Sequence, residues 1–401
     1  MDAIDHAAAV LRMFEIEPQP LDRLIERYFK RHREIGSRDR RIISQAAFGV
    51  MRWRRRIDAM LLMSGISKPT NRVRALAFTA AGELDAQMPR DFPGGAAAFY
   101  SFPDFLYEKF VSLYGASGAA RMVEALSSPS RPCLRVNSAL ATRAEAIEML
   151  AAEGVKATPT ERSPFGIRLE RRIDLRNIAA YTKGIVEVQD ESSQLAVLAA
   201  DPSPGEMVLD ACAGGGGKSL MIAMLMEGRG RVIASDIDAA RLRELKRRAA
   251  RARLSNIDAI PEKELDVRAA KHRDKCDLVF IDAPCSGTGT LRRNPDLKWR
   301  LTDADIEQRV SVQIDLLKRY GSWVRPGGRF VYATCSMLRE ENEDVVARFL
   351  QGRGFRLIDV NDAFARRGID SRNLTTSQGF FNADPREGEW DGFFAAAMVR
   401  A

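Results

Sequence analysis

The chain has 401 residues, 45% of them hydrophobic and 29% charged, with a formal net charge of +8. That length allows two or three domains with full apolar cores, and the composition excludes a disordered or low-complexity chain. No apolar run approaches the roughly 18 residues of a membrane span, and the charges among the first twenty residues leave no apolar signal core, so a cytoplasmic protein is expected.

The cations are concentrated. Residues 1–60 hold thirteen Lys/Arg against nine Asp/Glu, and residues 240–255 hold seven against one. Clustering of this kind points to a polyanionic partner such as nucleic acid. Five cysteines, an odd number without a C-x-x-C pair, suit free thiols in a reducing compartment. Three histidines, His6, His32 and His272, are far apart in sequence, so neither a metal site nor a histidine triad is expected.

Residues 1–127 read as a helical domain. Ile4, Ala7, Ala8 and Leu11 mark one apolar face, and Leu21, Leu24, Ile25 and Tyr28 another. Ser37 is a candidate cap for a helix turning Ile42, Ile43, Ala46, Ala47 and Val50 inward. The Pro/Gly stretch 91–95 interrupts the pattern. Arg52, Arg54, Arg55 and Arg56 around Trp53 suit either a solvated face or phosphate contact. Ser127–Pro132 is rich in breakers and marks a boundary.

Residues 128–190 read as a small α/β unit. It has short strands near 133–137, 167–169 and 184–188, and a helix 143–152 capped by Thr142. From 191 to 401, apolar strands at 207–211, 231–236, 278–282 and 329–334 alternate with helices at 219–227, 239–253 and 303–324. Helix 342–349 and β-like runs at 355–360 and 392–399 follow. This is the pattern of a doubly wound, mostly parallel α/β sheet. In such sheets ligands bind beyond the carboxyl ends of the strands.

Four unusual stretches fall at those ends. Asp210 is followed by Cys212, Ala213, Gly214, Gly215, Gly216, Gly217 and Lys218, a glycine-rich strand-to-helix turn open to a nucleotide-like cofactor. A phosphate-loop motif ending at Gly217-Lys218-Ser219 would need glycine at Cys212, which excludes it. Asp236 ends the second strand, where an acid can bind ribose hydroxyls. Asp282-Ala283-Pro284-Cys285-Ser286-Gly287 and Thr334-Cys335-Ser336 end two others. Cys285 and Cys335 are candidate reactive thiols. Cys133, Cys212 and Cys276 suit small core positions.

These motifs, with Arg292–Trp299, Val188–Gln194 and Asp391–Phe394, resemble the RNA cytosine-5 methyltransferases of the RsmB/Nop2/Sun type over residues 130–401. Phe48-Gly49-Val50-x-Arg52 and the helical content ahead resemble the NusB-like domain of the ribosomal-RNA branch. The resemblance implies a Rossmann-like class I methyltransferase domain using S-adenosyl-L-methionine, with RNA as partner and 5-methylcytosine as product. It makes Cys335 the nucleophile and Cys285 the second cysteine, assisting release. Asp282 contacts the flipped base or cofactor, Asp236 the ribose, and Cys212 to Lys218 the methionine part. A monomer is expected. The family usually carries Ala-Pro where this chain has Gly214-Gly215, which makes the loop more flexible, and the acid expected after the third strand is not evident at 261–266. Two rivals are a DNA cytosine methyltransferase with Cys285 as nucleophile and a catalytically silent RNA-binding assembly factor.

Overall fold

The computed structural model describes residues 1–81, 92–267, 273–352 and 354–401, so His272 and Asp91 lie outside the described residues. The chain forms two compact units. One comprises Met1–Pro129 with Thr290–Asp303, and the other Ser130–Gly289 with Ala304–Ala401.

The first unit is helical in its described residues, with helices at Ala3–Ile16, Leu21–Arg31, Ser37–Met63, Asn71–Ala81, Gly95–Phe99 and Asp104–Ser127. The first helix is opened by a reciprocal cap in which Asp2 and Asp5 accept each other's backbone N–H. The expected apolar faces are largely buried, and Leu21, Leu24, Ile25 and Tyr28 all turn inward. Ser37 is not a cap. Gly36 holds that position without a side-chain bond, and Ser37 is already helical. Gly49 leaves room for a ring, since a Cβ there would lie 2.0 Å from Phe78.

The four arginines around Trp53 serve this unit's own packing. Arg52 donates to the Arg292 carbonyl, Arg54 pairs with Glu15, and Arg55 bonds the Phe102 carbonyl and Asp104. Arg56 is buried, 4.1 Å above the Phe99 ring. Because these guanidinium groups have protein partners, they do not form the exposed cluster that phosphate contact requires. His6 and His32, far apart in sequence, have ring centroids 5.7 Å apart beside Tyr28, since adjacent helices carry them to one place.

Residues 290–303, flanked in sequence by the second unit, belong to the helical one. The Trp299 indole N–H donates to the Met51 carbonyl at 2.6 Å, and Lys298 donates to the Arg52 carbonyl at 2.9 Å. Asp296 accepts from the Leu21 N–H at 3.3 Å. Burial holds the Lys298 amine well below its ordinary pKa.

In the second unit, β1 (Cys133–Val136), β2 (Ala157–Pro159), β3 (Gly166–Leu169) and β4 (Val186–Val188) form an antiparallel sheet in the order β2-β3-β1-β4. Thr142 caps helix Arg143–Ala152 as expected, in a reciprocal box with Glu145. The edge strand β2 has only three residues, too few to show a period.

The large sheet contains β5 (Met207–Asp210), β6 (Arg231–Asp236), β7 (Ile257–Pro261), β8 (Cys276–Asp282), β9 (Val324–Thr334), β10 (Phe355–Ile358), β11 (Phe381–Ala383) and β12 (Phe393–Arg400). The order is β10-β12-β9-β8-β5-β6-β7, with β11 against β12. Strands β5 to β9 run parallel, and β12 is antiparallel to β9, β10 and β11. Alternate residues enter opposite cores: Val208, Val232 and Phe280 on one face, Leu209, Ile233 and Ile281 on the other. Both faces are covered, which explains why the strands read as continuous apolar runs. The helix expected over 303–324 stops at Gly321, because Val324 already pairs with Cys276 at the start of β9.

Candidate active site

Strand β5 lies between β6 and β8, where the strand order reverses, and its loop opens the crevice at the carboxyl ends. Gly216 caps helix Gly217–Leu225 at φ 88°, and Gly214 has φ 54°, conformations that a side chain would strain. The Ala213 N–H donates to the Ser235 carbonyl and the Gly214 N–H to Asp236 Oδ2, both at 2.8 Å. Asp236 Oδ1 accepts from the Asp238 N–H at 2.8 Å. Asp236 thus fixes the loop to the end of β6 while each oxygen keeps a lone pair for another donor.

The flexibility expected of Gly214-Gly215 is countered by two arginines. Arg248 donates to the Gly215 carbonyl, and Arg135 to the Gly217 carbonyl at 2.9 Å. Arg135 is buried, and burial pulls its pKa down to about 10 against the opposing charge of Glu187. Glu187 also pairs with Arg248 at 3.2 Å and Arg251 at 2.6 Å. Arg251 therefore turns inward, whereas Arg243 and Arg247 on the same basic run are exposed. Its neighbour Ala252 is buried, which places the end of that helix against the protein.

Lys218 reaches across the crevice to Asp282 Oδ2 at 2.5 Å, with its ammonium 4.9 Å from the centre of the Phe393 ring. Burial disfavours its charge, but Asp282 outweighs burial and raises the pKa, and the Cys335 sulfur adds in the same direction. Behind them, burial pushes the Asp210 carboxyl up to about 7. The Ser219 hydroxyl, donating at 2.6 Å, opposes this, and the charge of Asp282 reinforces it. Cys212 is close enough to Asp210, Asp282 and Asp236 for all three to add to the effect of burial in raising its thiol pKa.

The two cysteine loops converge. Cys285 Sγ and Cys335 Sγ are 3.4 Å apart, both partly buried. The contact with Cys335, then burial, pushes the Cys285 thiol well up. The Gly289 N–H donates to the Cys335 carbonyl at 2.9 Å, and the Gly392 N–H to the Gly289 carbonyl at 2.8 Å. A Cβ on Gly289 would sit 2.2 Å from the Gly392 oxygen, so this approach requires glycine. The next link in the chain, the Asp391 N–H, donates to Asp190 at 3.1 Å. Motifs whose bonded residues lie 201 positions apart in sequence are thereby joined.

Sequence reasoning missed what lies beneath the thiols. Glu341 is 0% exposed and accepts from the Ser286 N–H at 2.8 Å, the Ser286 hydroxyl, and Gln313 Nε2 at 3.1 Å. The Ser286 hydroxyl is 3.1 Å from that of Ser336, and Thr288 accepts from the Met337 N–H at 2.9 Å. It also missed Ile237, 84% exposed immediately after Asp236. Among the described residues no group of three or more His, Cys, Asp or Glu could hold a metal, and no helix is long and apolar enough to cross a membrane.

Residues 197–399 match the family model described as 16S rRNA methyltransferase RsmB/F. A Synechocystis protein named "Probable ribosomal RNA small subunit methyltransferase B" is 33% identical over 305 residues, covering 75% of this chain and 67% of that one. The chain belongs to the RsmB/F family. A Bacillus subtilis protein of the same name is 35% identical over 254 residues, covering 63% of this chain and 56% of its own length. The chain thus spans a little over half to two thirds of these relatives. Residues 102–176 match the family's ferredoxin-like domain, which includes most of the small sheet. The solved structure of PH0851 shares the fold with a TM-score of 0.82 at 24% identity, covering 99% of this chain and 98% of that one.

The cofactor of the RsmB/F family is S-adenosyl-L-methionine, and the residues at the crevice fit it. The loop offers backbone without side chains, Asp236 can accept from hydroxyls, and Ile237 presents an apolar surface beside it.

Proposed function

We propose that this chain methylates C5 of a cytosine in ribosomal RNA through a covalent adduct between Cys335 and C6 of the base. The observation carrying this reading is the pair of sulfurs 3.4 Å apart at neighbouring strand ends, beside the Lys218–Asp282 pair. Methyl transfer to an already nucleophilic nitrogen or oxygen needs no thiol, whereas cytosine C5 becomes nucleophilic only after addition at C6.

The Cys335 thiolate forms the S–C6 bond, and the C5=C6 π pair moves onto C5. S-adenosylmethionine, when bound, supplies an electrophilic methyl group for that carbon. Loss of the C5 proton to water then reforms C5=C6 as the S–C6 bond breaks and returns Cys335 as a thiolate. Cys285, whose high pKa keeps it a thiol, supports this release by donating to the departing sulfur.

Asp282 is suited to the amino edge of a base extruded from its stack. Asp236 is assigned the ribose hydroxyls and Ile237 the adenine face. Cys212, Ala213, Gly214, Gly215, Gly216, Gly217 and Lys218 are assigned the methionine portion. The exposed Arg243, Lys246, Arg247 and Arg253 support phosphate contact next to this crevice. The test is bisulfite sequencing of ribosomal RNA from a strain lacking the gene. Loss of protection at one cytosine is the expected result, and an unchanged pattern overturns the reading.

A further inference from the structure

We propose that Glu341 is a positioning residue that sets the distance between the two active-site sulfurs. This rests on the cytosine-5 reading above. Its side chain is fully buried, and its partners Ser286 and Gln313 belong to, or support, the Cys285 loop. Oε1 takes the Ser286 N–H, adjoining Cys285, at 2.8 Å, and Oε2 takes the Ser286 hydroxyl. That hydroxyl is 3.1 Å from Ser336 Oγ, adjoining Cys335, which in turn accepts from the Leu338 N–H at 3.0 Å. Gln313 Nε2 bonds both Glu341 Oε1, at 3.1 Å, and the Pro284 carbonyl, at 3.0 Å, on the other side of Cys285.

Glu341 is itself anchored to the sheet. Its carbonyl accepts from the Tyr332 hydroxyl on β9, and Asn342 donates to the Ser336 carbonyl at 2.9 Å. One carboxyl group therefore bonds one loop directly and the other through a single hydroxyl. Neither loop is part of a regular ladder at its cysteine, so this network, together with the Gly289 N–H bond to the Cys335 carbonyl, holds the two sulfurs at their separation. Both Glu341 oxygens and the Ser286 N–H and hydroxyl are paired in this network, and hydrogen bonds in a dry interior hold geometry in this way.

The test compares Glu341→Ala and Glu341→Gln in the full chain with two measurements. The first is steady-state methyl transfer to unmodified ribosomal RNA. The second is the rate at which diamide oxidises Cys285 and Cys335 to a disulfide, read as loss of two hydrogens by mass spectrometry. Diamide takes both thiol hydrogens and is reduced to its hydrazine, so the rate reports sulfur proximity whether or not RNA is methylated. Glu341→Ala should lower kcat about 100-fold, the cost of a displacement near 1 Å, leave KM for S-adenosylmethionine unchanged, and slow disulfide formation at least tenfold. Glu341→Gln keeps one acceptor on the Ser286 N–H and can donate to the rotatable hydroxyl. It should oxidise at the native rate and remain within tenfold of native kcat. Native oxidation in Glu341→Ala overturns the proposal, whether or not activity falls. If Glu341→Ala does not fold, slow oxidation in a folded Glu341→Gln overturns it instead. A native enzyme that oxidises normally but methylates no cytosine counts against the cytosine-5 reading and leaves the oxidation comparison to judge Glu341.

Discussion

Cys285 and Cys335, fifty residues apart in sequence, lie with their sulfurs 3.4 Å apart in two loops that are neighbours because β8 and β9 run parallel and end together. The two thiols should fail differently. Cys335→Ala should abolish methyl transfer to ribosomal RNA and form no adduct. Cys285→Ala should accumulate a protein–RNA adduct that survives denaturing electrophoresis. The reverse assignment of phenotypes would make Cys285 the nucleophile, as in the DNA-type rival.

Arg248 braces the Gly215 carbonyl in a loop of four consecutive glycines, Gly214 to Gly217. A hydrogen bond to a charged donor contributes about 1.5–3 kcal/mol, part of which here restrains the loop. Arg248→Ala should weaken S-adenosylmethionine binding about tenfold by calorimetry, corresponding to about 1.4 kcal/mol. Unchanged affinity would show that the loop holds its shape without the arginine.

Burial pushes the Asp210 carboxyl up to about 7 from an ordinary 3.8. Between those values the folded chain keeps a proton that the unfolded chain has lost. This group's contribution to stability therefore falls as pH rises through the window and levels off above it. Asp210→Asn copies the neutral form and should remove that slope. Urea midpoints at pH 4, 5.5, 7 and 8 should converge for native and variant at the acid end and diverge, with the variant more stable, at pH 8. Parallel curves would contradict the assignment.

Gly49 leaves no space for a Cβ against the Phe78 ring. Gly49→Ala should lower stability by about 1–3 kcal/mol, the usual cost of overpacking. Gly49→Ala combined with Phe78→Leu should recover part of it. A native midpoint for the single variant would mean that the ring moves freely.

The sheet was legible because two buried faces force continuous apolar strands, such as Val208-Leu209 and Val279-Phe280-Ile281, between amphipathic helices. The cysteine loops were legible because proline, glycine and serine around a thiol do not suit a core. Glu341 was not, since Glu340-Glu341-Asn342-Glu343 reads as a solvated helix start, and only the fold reveals that one of those acids points inward. The cluster at Arg52 and part of the basic run 240–255 misled for the same reason in reverse. Charge runs look exposed in sequence, and the acids or carbonyls that pair with them come from distant segments.

Trp299 and Lys298 complete the packing of the helical unit, yet they are made long after its other helices. During synthesis, residues 1–129 leave the ribosome with the Met51 and Arg52 carbonyls still lacking these two donors. The unit that emerges first therefore cannot finish first, and its last contacts form only once the ribosome has passed Asp303. A nascent chain stalled before that point should expose the seat of Trp299 to chaperones or proteases, and one stalled beyond it should protect that seat.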